Sequence, residues 1–231
     1  MYAYLTWAVI FGLIWLILYV HREDLRYEII FSSLLFLPFG LTQPLFVPEY
    51  WNPNVIFRFF GLFDIESLLW CFFTGGIVAV IYEEVFKRTL KVSKYGKKAR
   101  HHAYFIYFCM ISVAISIVFI KNFTNWSVLR SLFIFMIWGF IYFVIYRPDL
   151  IQKSIISGFA FMILYIGSLL FVNYVFPGFI LTQWNIQGSL GIKIFHIVIE
   201  EYLYAFLFGI GWSIVYEEIK NIKLEQFREA Q

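Results

Sequence analysis

Ile197-Val198-Ile199-Glu200-Glu201-Tyr202-Leu203-Tyr204 places two adjacent carboxylates inside an apolar run that extends from about Gly191 to Tyr216. A helix of that length crosses hydrocarbon without needing a charge, and an ionised carboxylate there costs several kcal/mol. Glu200 and Glu201 are therefore expected to face other helices or a cavity, or one of them to hold a proton. The same element occurs earlier in the chain. Ile65–Glu84 aligned on Ile199–Glu218 at a constant offset of 134 gives eight identities in twenty positions, among them Glu66/Glu200, Gly75/Gly209 and Glu84/Glu218. Each copy has a Glu near one end and Tyr-Glu-Glu at the other. At about 1.5 Å per residue these landmarks lie roughly 25 Å apart, close to a hydrocarbon thickness.

Composition agrees with a membrane protein. Hydrophobic residues make up 61% of the chain, aromatics 23% and charged residues only 14%, against about a quarter charged in soluble domains. A net charge of +3 is too small to imply nucleic acid as a partner. The two cysteines, Cys71 and Cys109, fall in apolar runs without a Cys/His cluster. Buried thiols are expected, with no disulfide framework, no metal and no cofactor.

The hydropathy pattern predicts an all-α, polytopic membrane bundle of seven transmembrane helices. They run over Tyr4–Val20, Ile29–Val47, Phe59–Phe86, Ala103–Ile120, Val128–Tyr146, Ile155–Phe176 and Ile192–Tyr216. Pro38 and Pro44 predict a kink or early stop in the second. His21-Arg22-Glu23 follows the first span where a cleaved signal would carry small residues, so that span reads as a retained helix. With seven spans the connectors alternate sides, and the cations divide fourteen against four. The positive-inside rule then puts the N-terminus outside and the C-terminus in the cytoplasm.

Two further echoes extend the repeat. Arg22-x-Asp24-Leu25 returns as Arg147-x-Asp149-Leu150, and Trp51-Asn52 returns as Trp184-Asn185. Two parallel three-helix repeats, residues 1–86 and 127–217, are expected around a basic loop and linking helix at 87–126. A cytoplasmic tail, 218–231, follows. Parallel repeats are related by an axis along the membrane normal, with shared sites at their interface. Glu66 and Glu200 are expected roughly 10–12 Å into the outer part of their helices, on opposite sides of one cavity.

These features resemble the lycopene cyclase domain family, small membrane proteins made as two three-helix subunits or one fused chain. The resemblance lies in the paired units, the Trp-containing loops, and the segments Asp64-Ile65-Glu66-Ser67-Leu68-Leu69-Trp70 and Val198-Ile199-Glu200-Glu201-Tyr202-Leu203-Tyr204. The family typically shows Pro-x-Glu-Glu there; Asp64 and Val198 stand in place of proline, and Ser67 in place of a glutamate. The resemblance implies a redox-neutral closure of ionone rings on an acyclic carotenoid. Glu66, Glu200 and Glu201 match the acidic positions and are the candidate catalytic residues. A buried carboxylic acid is suited to protonating an alkene, and the ring faces of Trp70 and Tyr204 to stabilising the cation. His196 and Tyr204, at i−4 and i+4 from Glu200, are expected on its helical face. Trp70, His196 and Tyr204 are thus the candidate substrate-binding residues.

Simpler readings stand beside these. A membrane Glu also serves as a hydrogen-bonded tie between helices. Tyr82-Glu83-Glu84 and Tyr216-Glu217-Glu218 read as interfacial anchors pairing with Arg or Lys, and Gly75-Gly76 and Gly209-x-Gly211 as close helix packing. His101-His102 reads as solvated. The last span holds no mid-membrane lysine for retinal, and the chain holds neither Asp-rich motifs for a prenyltransferase nor His boxes for a di-iron oxidase. A cyclase of another isoprenoid and a non-catalytic lipid- or carotenoid-binding protein remain as alternatives. A transporter would call for more polar residues along the spans. Expected partners are membrane lipid and an apolar polyene or isoprenoid, with room for a homo-oligomer. Reporter fusions at residue 95 and at Gln231 are expected to report the cytoplasm; an external signal from either contradicts the seven-span topology.

Overall fold

A computed structural model of the chain describes residues 2–87, 92–94, 115, 119, 123, 127–185, 189–220 and 222–224. The expected fourth span lies outside the described residues apart from Ile115 and Phe119, as do Cys109 and His101-His102. Among the described residues, five helical segments are long and apolar enough to cross a membrane: Ala3–His21, Glu23–Phe46, Ile65–Val85, Val128–Tyr146 and Pro148–Val175. They correspond to expected spans one, two, three, five and six, and mark a mostly helical membrane protein.

The first segment is one helix, α1 (Ala3–His21). The second is interrupted, as its prolines predict. Helix α2 (Arg26–Phe36) passes into a 3-10 stretch over Leu37–Thr42 and then into the short α3 (Gln43–Phe46). Pro38 and Pro44 each fall in the first turn of the element they begin, where a missing N–H costs no hydrogen bond.

The third span departs from its expected start at Phe59. Strands β1 (Arg58–Phe59) and β2 (Phe63–Asp64) form an antiparallel hairpin, and only then does α4 (Ile65–Val85) begin. Asp64 caps α4 by accepting the backbone N–H of Ser67 at 2.7 Å. Strand β3 (Val92–Lys94) lies between α4 and the next described helix, α5 (Val128–Tyr146). The long α6 (Ile151–Val175) and short α7 (Phe179–Gln183) follow. A second hairpin pairs β4 (Lys193–Ile194) with β5 (Ile197–Val198) ahead of α8 (Ile199–Trp212). Ser213-Ile214 then separates α8 from α9 (Val215–Lys220), so the expected seventh span is a broken helix. Strand β6 (Ile222–Leu224) pairs antiparallel with β3. Strand β6 falls within the expected tail, 218–231.

The two hairpins turn in related ways. Phe60 and Gly61 have φ of 49° and 70°, and Phe195 and His196 have 48° and 67°. Successive left-handed residues are what a tight hairpin turn requires. Between the hairpins' parent loops, Trp51 and Trp184 form an antiparallel bridge. Asn52 N–H donates to Gln183 O at 2.7 Å, and Asn185 N–H returns the bond to Tyr50 O at 2.8 Å.

At the opposite end, Arg22 grips Asp24 through two N–H···O bonds of 3.0 and 2.9 Å and reaches Glu84 at 3.2 Å. Arg147 grips Asp149 through two bonds of 3.0 Å and reaches Glu218 at 2.6 Å. Between these two forks the Lys153 ammonium donates to Glu217, lies 2.9 Å from Glu83 and stands 3.7 Å from Glu28. None of the four is more than 2% exposed. The Tyr-Glu-Glu segments do pair with Arg and Lys, as expected: Glu83, Glu217 and Glu218 do so while buried, and Glu84 at a part-exposed position.

Helices approach closely at Gly75 and Gly209, leaving no room for a side chain. A Cβ on Gly75 would come within 2.6 Å of Phe36 Cβ, and one on Gly209 within 2.8 Å of the Gly158 backbone. Gly211 differs from its expected packing role, since an added Cβ there meets nothing within 4 Å. Gly209→Ala is expected to cost about 1–3 kcal/mol by forcing α6 and α8 apart, while Gly211→Ala changes stability little. Thermal unfolding of both variants in detergent checks this; equal losses contradict the assigned contact.

Candidate active site

A cavity of about 700 Å³ lies between α5 and α8, closed on its far side by α2–α4 and α6. Most of its wall is aromatic and aliphatic. Among the described residues, Glu201 is the one carboxylate that lines it.

Glu201 follows the first residues of α8 and is only 3% exposed. Three donors from three elements meet its two oxygens. Tyr50 O–H, from the loop after α3, and Trp184 Nε1–H both reach Oε1, the indole at 2.8 Å. Tyr165 O–H, from α6, reaches Oε2. Burial, then the adjacent Glu201 carboxylate, pushes the Tyr50 phenol well above its usual value. Tyr50 therefore stays a neutral hydroxyl. A hydroxyl both donates and accepts, so the two tyrosines can serve this carboxyl with or without its proton.

The position that the 134-residue offset pairs with Glu201 is Ser67, which also lines the cavity. Its hydroxyl donates to Gln43 Oε1 and bonds to Tyr4 O–H at 2.8 Å. This side of the cavity is hydrogen-bonded and neutral. Around both sides the rings interlock: Trp7 lies 5.1 Å from Tyr165 and 5.8 Å from Trp70, and Tyr204 stacks on Phe208 at 6.0 Å and 5°.

Glu66 and Glu200 do not line the cavity. Glu66 Oε1 accepts Ile56 N–H at 2.6 Å and Phe57 N–H at 3.2 Å; Glu200 Oε1 accepts Leu190 N–H at 2.5 Å. Each carboxylate fastens the loop leading into its hairpin to the first turn of the following helix. Both lie in that first turn, so the expected depth of 10–12 Å within a helix is not reached. Their arrangement opposite one another across a shared cavity is likewise not found. His196 is a second correction. It occupies the exposed β4–β5 turn, outside α8, so it cannot share a helical face with Glu200. Trp70 and Tyr204 line the cavity wall.

Tyr50, Tyr165 and Trp184 are functional candidates that the sequence reading passed over. Trp184 and the neighbour of Tyr50 were visible as loop echoes. Tyr165 carries no signal among so many aromatics in its span.

Residues 127–219 match a family model described as lycopene cyclase. The resemblance to the lycopene cyclase domain family is thereby borne out over the segment that holds α5, α6, the second hairpin and Glu201. No curated protein and no solved structure matches the chain.

The geometry separates adjacent glutamates by role. Glu66→Ala leaves two backbone N–H groups without their acceptor and is expected to cost about 1–3 kcal/mol. Hydrogen exchange at Ile56 and Phe57 should accelerate with it. Unchanged exchange at both amides contradicts the fastening role.

Proposed function

We propose, from the lycopene cyclase match over residues 127–219 and the geometry around Glu201, that the protein is a carotenoid cyclase acting within the membrane. The observation that carries this reading is a buried carboxyl with three donors, facing an aromatic cavity large enough for an isoprenoid end group. The reaction class is isomerisation. Glu201 transfers its proton to the terminal double bond of an acyclic polyene, leaving a tertiary cation. The next double bond supplies its electron pair, forming the ring carbon–carbon bond and moving the cation onto the ring. Loss of a ring proton then creates the ring double bond, so no atom is gained or lost.

Glu201 suits both ends of this sequence. Once it has given up its proton, the carboxylate lies beside the cation it created and is the base at hand to recover a proton. Tyr50, Tyr165 and Trp184 hold that anion by hydrogen bonds that require no water. Fixed donors of this kind stabilise developing charge better than mobile solvent does. The faces of Tyr204 and Trp70 act on the positive partner. Glu66 and Glu200 keep supporting roles, holding the hairpins that precede the two motif helices.

The seven-span, two-repeat bundle belongs to the same proposal. The matched hairpins, the reciprocal Trp51–Trp184 loop pairing and the two Arg-Asp-Glu forks support two parallel units, with the N-terminus outside and the C-terminus cytoplasmic. The partners are membrane lipid and an apolar polyene.

The test is expression in a lycopene-accumulating bacterium, with chromatography of the extracted pigments. The parent is expected to yield ring-bearing carotenoid, and Glu201→Gln to lose at least the ~100-fold typical of a missing general acid. Glu200→Gln should retain activity in proportion to its folded yield. Equal activity of Glu201→Gln and the parent contradicts the assignment of the acid. A well-expressed parent that cyclises no acyclic isoprenoid returns the protein to a binding role.

A further inference from the structure

The cavity extends well beyond the carboxyl. On the α8 side its wall is made by Glu201, Tyr204, Phe208 and Gly211, spaced three or four residues apart on one helical face, and then by Val215 of α9 beyond the break at Ser213-Ile214. On the α5 side it runs from Leu129 through Met136 and Gly139 to Phe143, again along one face. Within α8 the series spans ten residue steps and along α5 fourteen, which correspond to roughly 15 and 20 Å along a helix axis. Glu201 stands at one end of this length. Two glycines, Gly139 and Gly211, lie deep in it, and an added Cβ at either meets nothing within 4 Å. The close-packed Gly75 and Gly209, by contrast, have no such room. Below Tyr204 the wall continues as stacked rings: Phe208 on Trp212 at 6.1 Å and 21°, with Phe36 4.7 Å from Phe208. Trp212 spends its N–H on Gly75 O at 3.0 Å, so its indole offers the cavity no donor.

We infer that the substrate binds end-on, with its reacting end at Glu201 and its conjugated stem running inward between α5 and α8. Gly139 and Gly211 then set how long a chain the site accepts. The occupant is a rigid, unbranched-backbone polyene hydrocarbon, because the deep wall presents flat rings and open glycine positions. A stem of this kind lies along the helices, hence across the bilayer. One end is processed at a time, and a second ring requires release and re-binding in the opposite sense. This inference rests on the cyclase reading for the identity of the reacting end, though the stem's path can be tested without turnover.

The experiment compares the parent with Gly139→Leu, Gly211→Leu and, as a control, Gly167→Leu, all in lipid nanodiscs. Gly167 is exposed on α6, lies off the cavity and likewise has open space for a side chain. Retention of lycopene and of the short acyclic isoprenoid farnesene is measured alongside ring formation. Both deep variants are expected to lose lycopene retention and conversion by roughly tenfold or more, a difference of about 1.4 kcal/mol in binding. Farnesene retention, and all values for Gly167→Leu, should stay at parental levels. Linear dichroism of lycopene on the parent in oriented bilayers should place the chromophore's long axis nearer the membrane normal than the plane. Parental lycopene retention by both deep variants, or a chromophore lying in the plane, overturns the inference. If the parent retains lycopene but forms no ring, the cyclase reading fails while the retention series still judges the channel. If the parent retains no isoprenoid at all, both fail.

Discussion

A carboxyl group enclosed by apolar helices has no water to solvate it, and its oxygens must find donors within the protein. Most of the fold's polar architecture answers that requirement. Glu66 and Glu200 meet it at Oε1 alone, with backbone N–H groups of the loops before the two hairpins, while each Oε2 has no donor among the described residues. Glu83 and Glu217 meet it with Lys153 and, through that shared ammonium, tie α4, α6 and α9 together. Glu201 meets it with hydroxyl and indole donors from three separate elements. Among the described residues, only this last solution leaves the carboxyl on a cavity wall. The others bury both oxygens against protein.

The same requirement explains how one residue of register changes a glutamate's role. Glu200 and Glu201 are neighbours in the first turn of α8, and successive residues on a helix point about 100° apart. One therefore faces the returning hairpin and the other the bundle interior. In the other motif helix the interior-facing position is Ser67, and a hydroxyl network with Gln43 and Tyr4 replaces the carboxyl cluster. The cavity is consequently asymmetric, acidic on one side and neutral on the other, although the helices that line it carry related sequences.

Much of this was legible in the sequence. Apolar runs located the five membrane-length segments found among the described residues, because a long segment with few charges has few other stable environments. The 134-residue echo drew attention to the correct pair of helix starts, and Trp51-Asn52 and Trp184-Asn185 marked loops that do meet. What was not legible follows from geometry that hydropathy does not encode. The hairpins at Arg58–Asp64 and Lys193–Val198 read as helix because their residues are apolar, while their turns depend on left-handed backbone at Phe60 and His196. That displaced the helix starts and removed His196 from α8. Choosing Glu201 over Glu200 required knowing which face packs inward, and both were apolar-flanked. The position of Lys153 among three carboxylates is a tertiary fact that no local sequence pattern carries. Gly211 read as a packing residue like Gly209, yet two residues of rotation take it from a helix contact to the cavity wall.

The most direct measurement of the central claim is labelling of the purified protein in bilayers with an apolar carbodiimide, which attacks protonated carboxyls reachable from an apolar space. Mass spectrometry of the products locates the adduct. If the reactive carboxyl of the cavity is Glu201, the label falls there, and prior saturation with lycopene suppresses it. Labelling concentrated on Glu66 or Glu200, or a Glu201 adduct that lycopene leaves unchanged, contradicts the assignment.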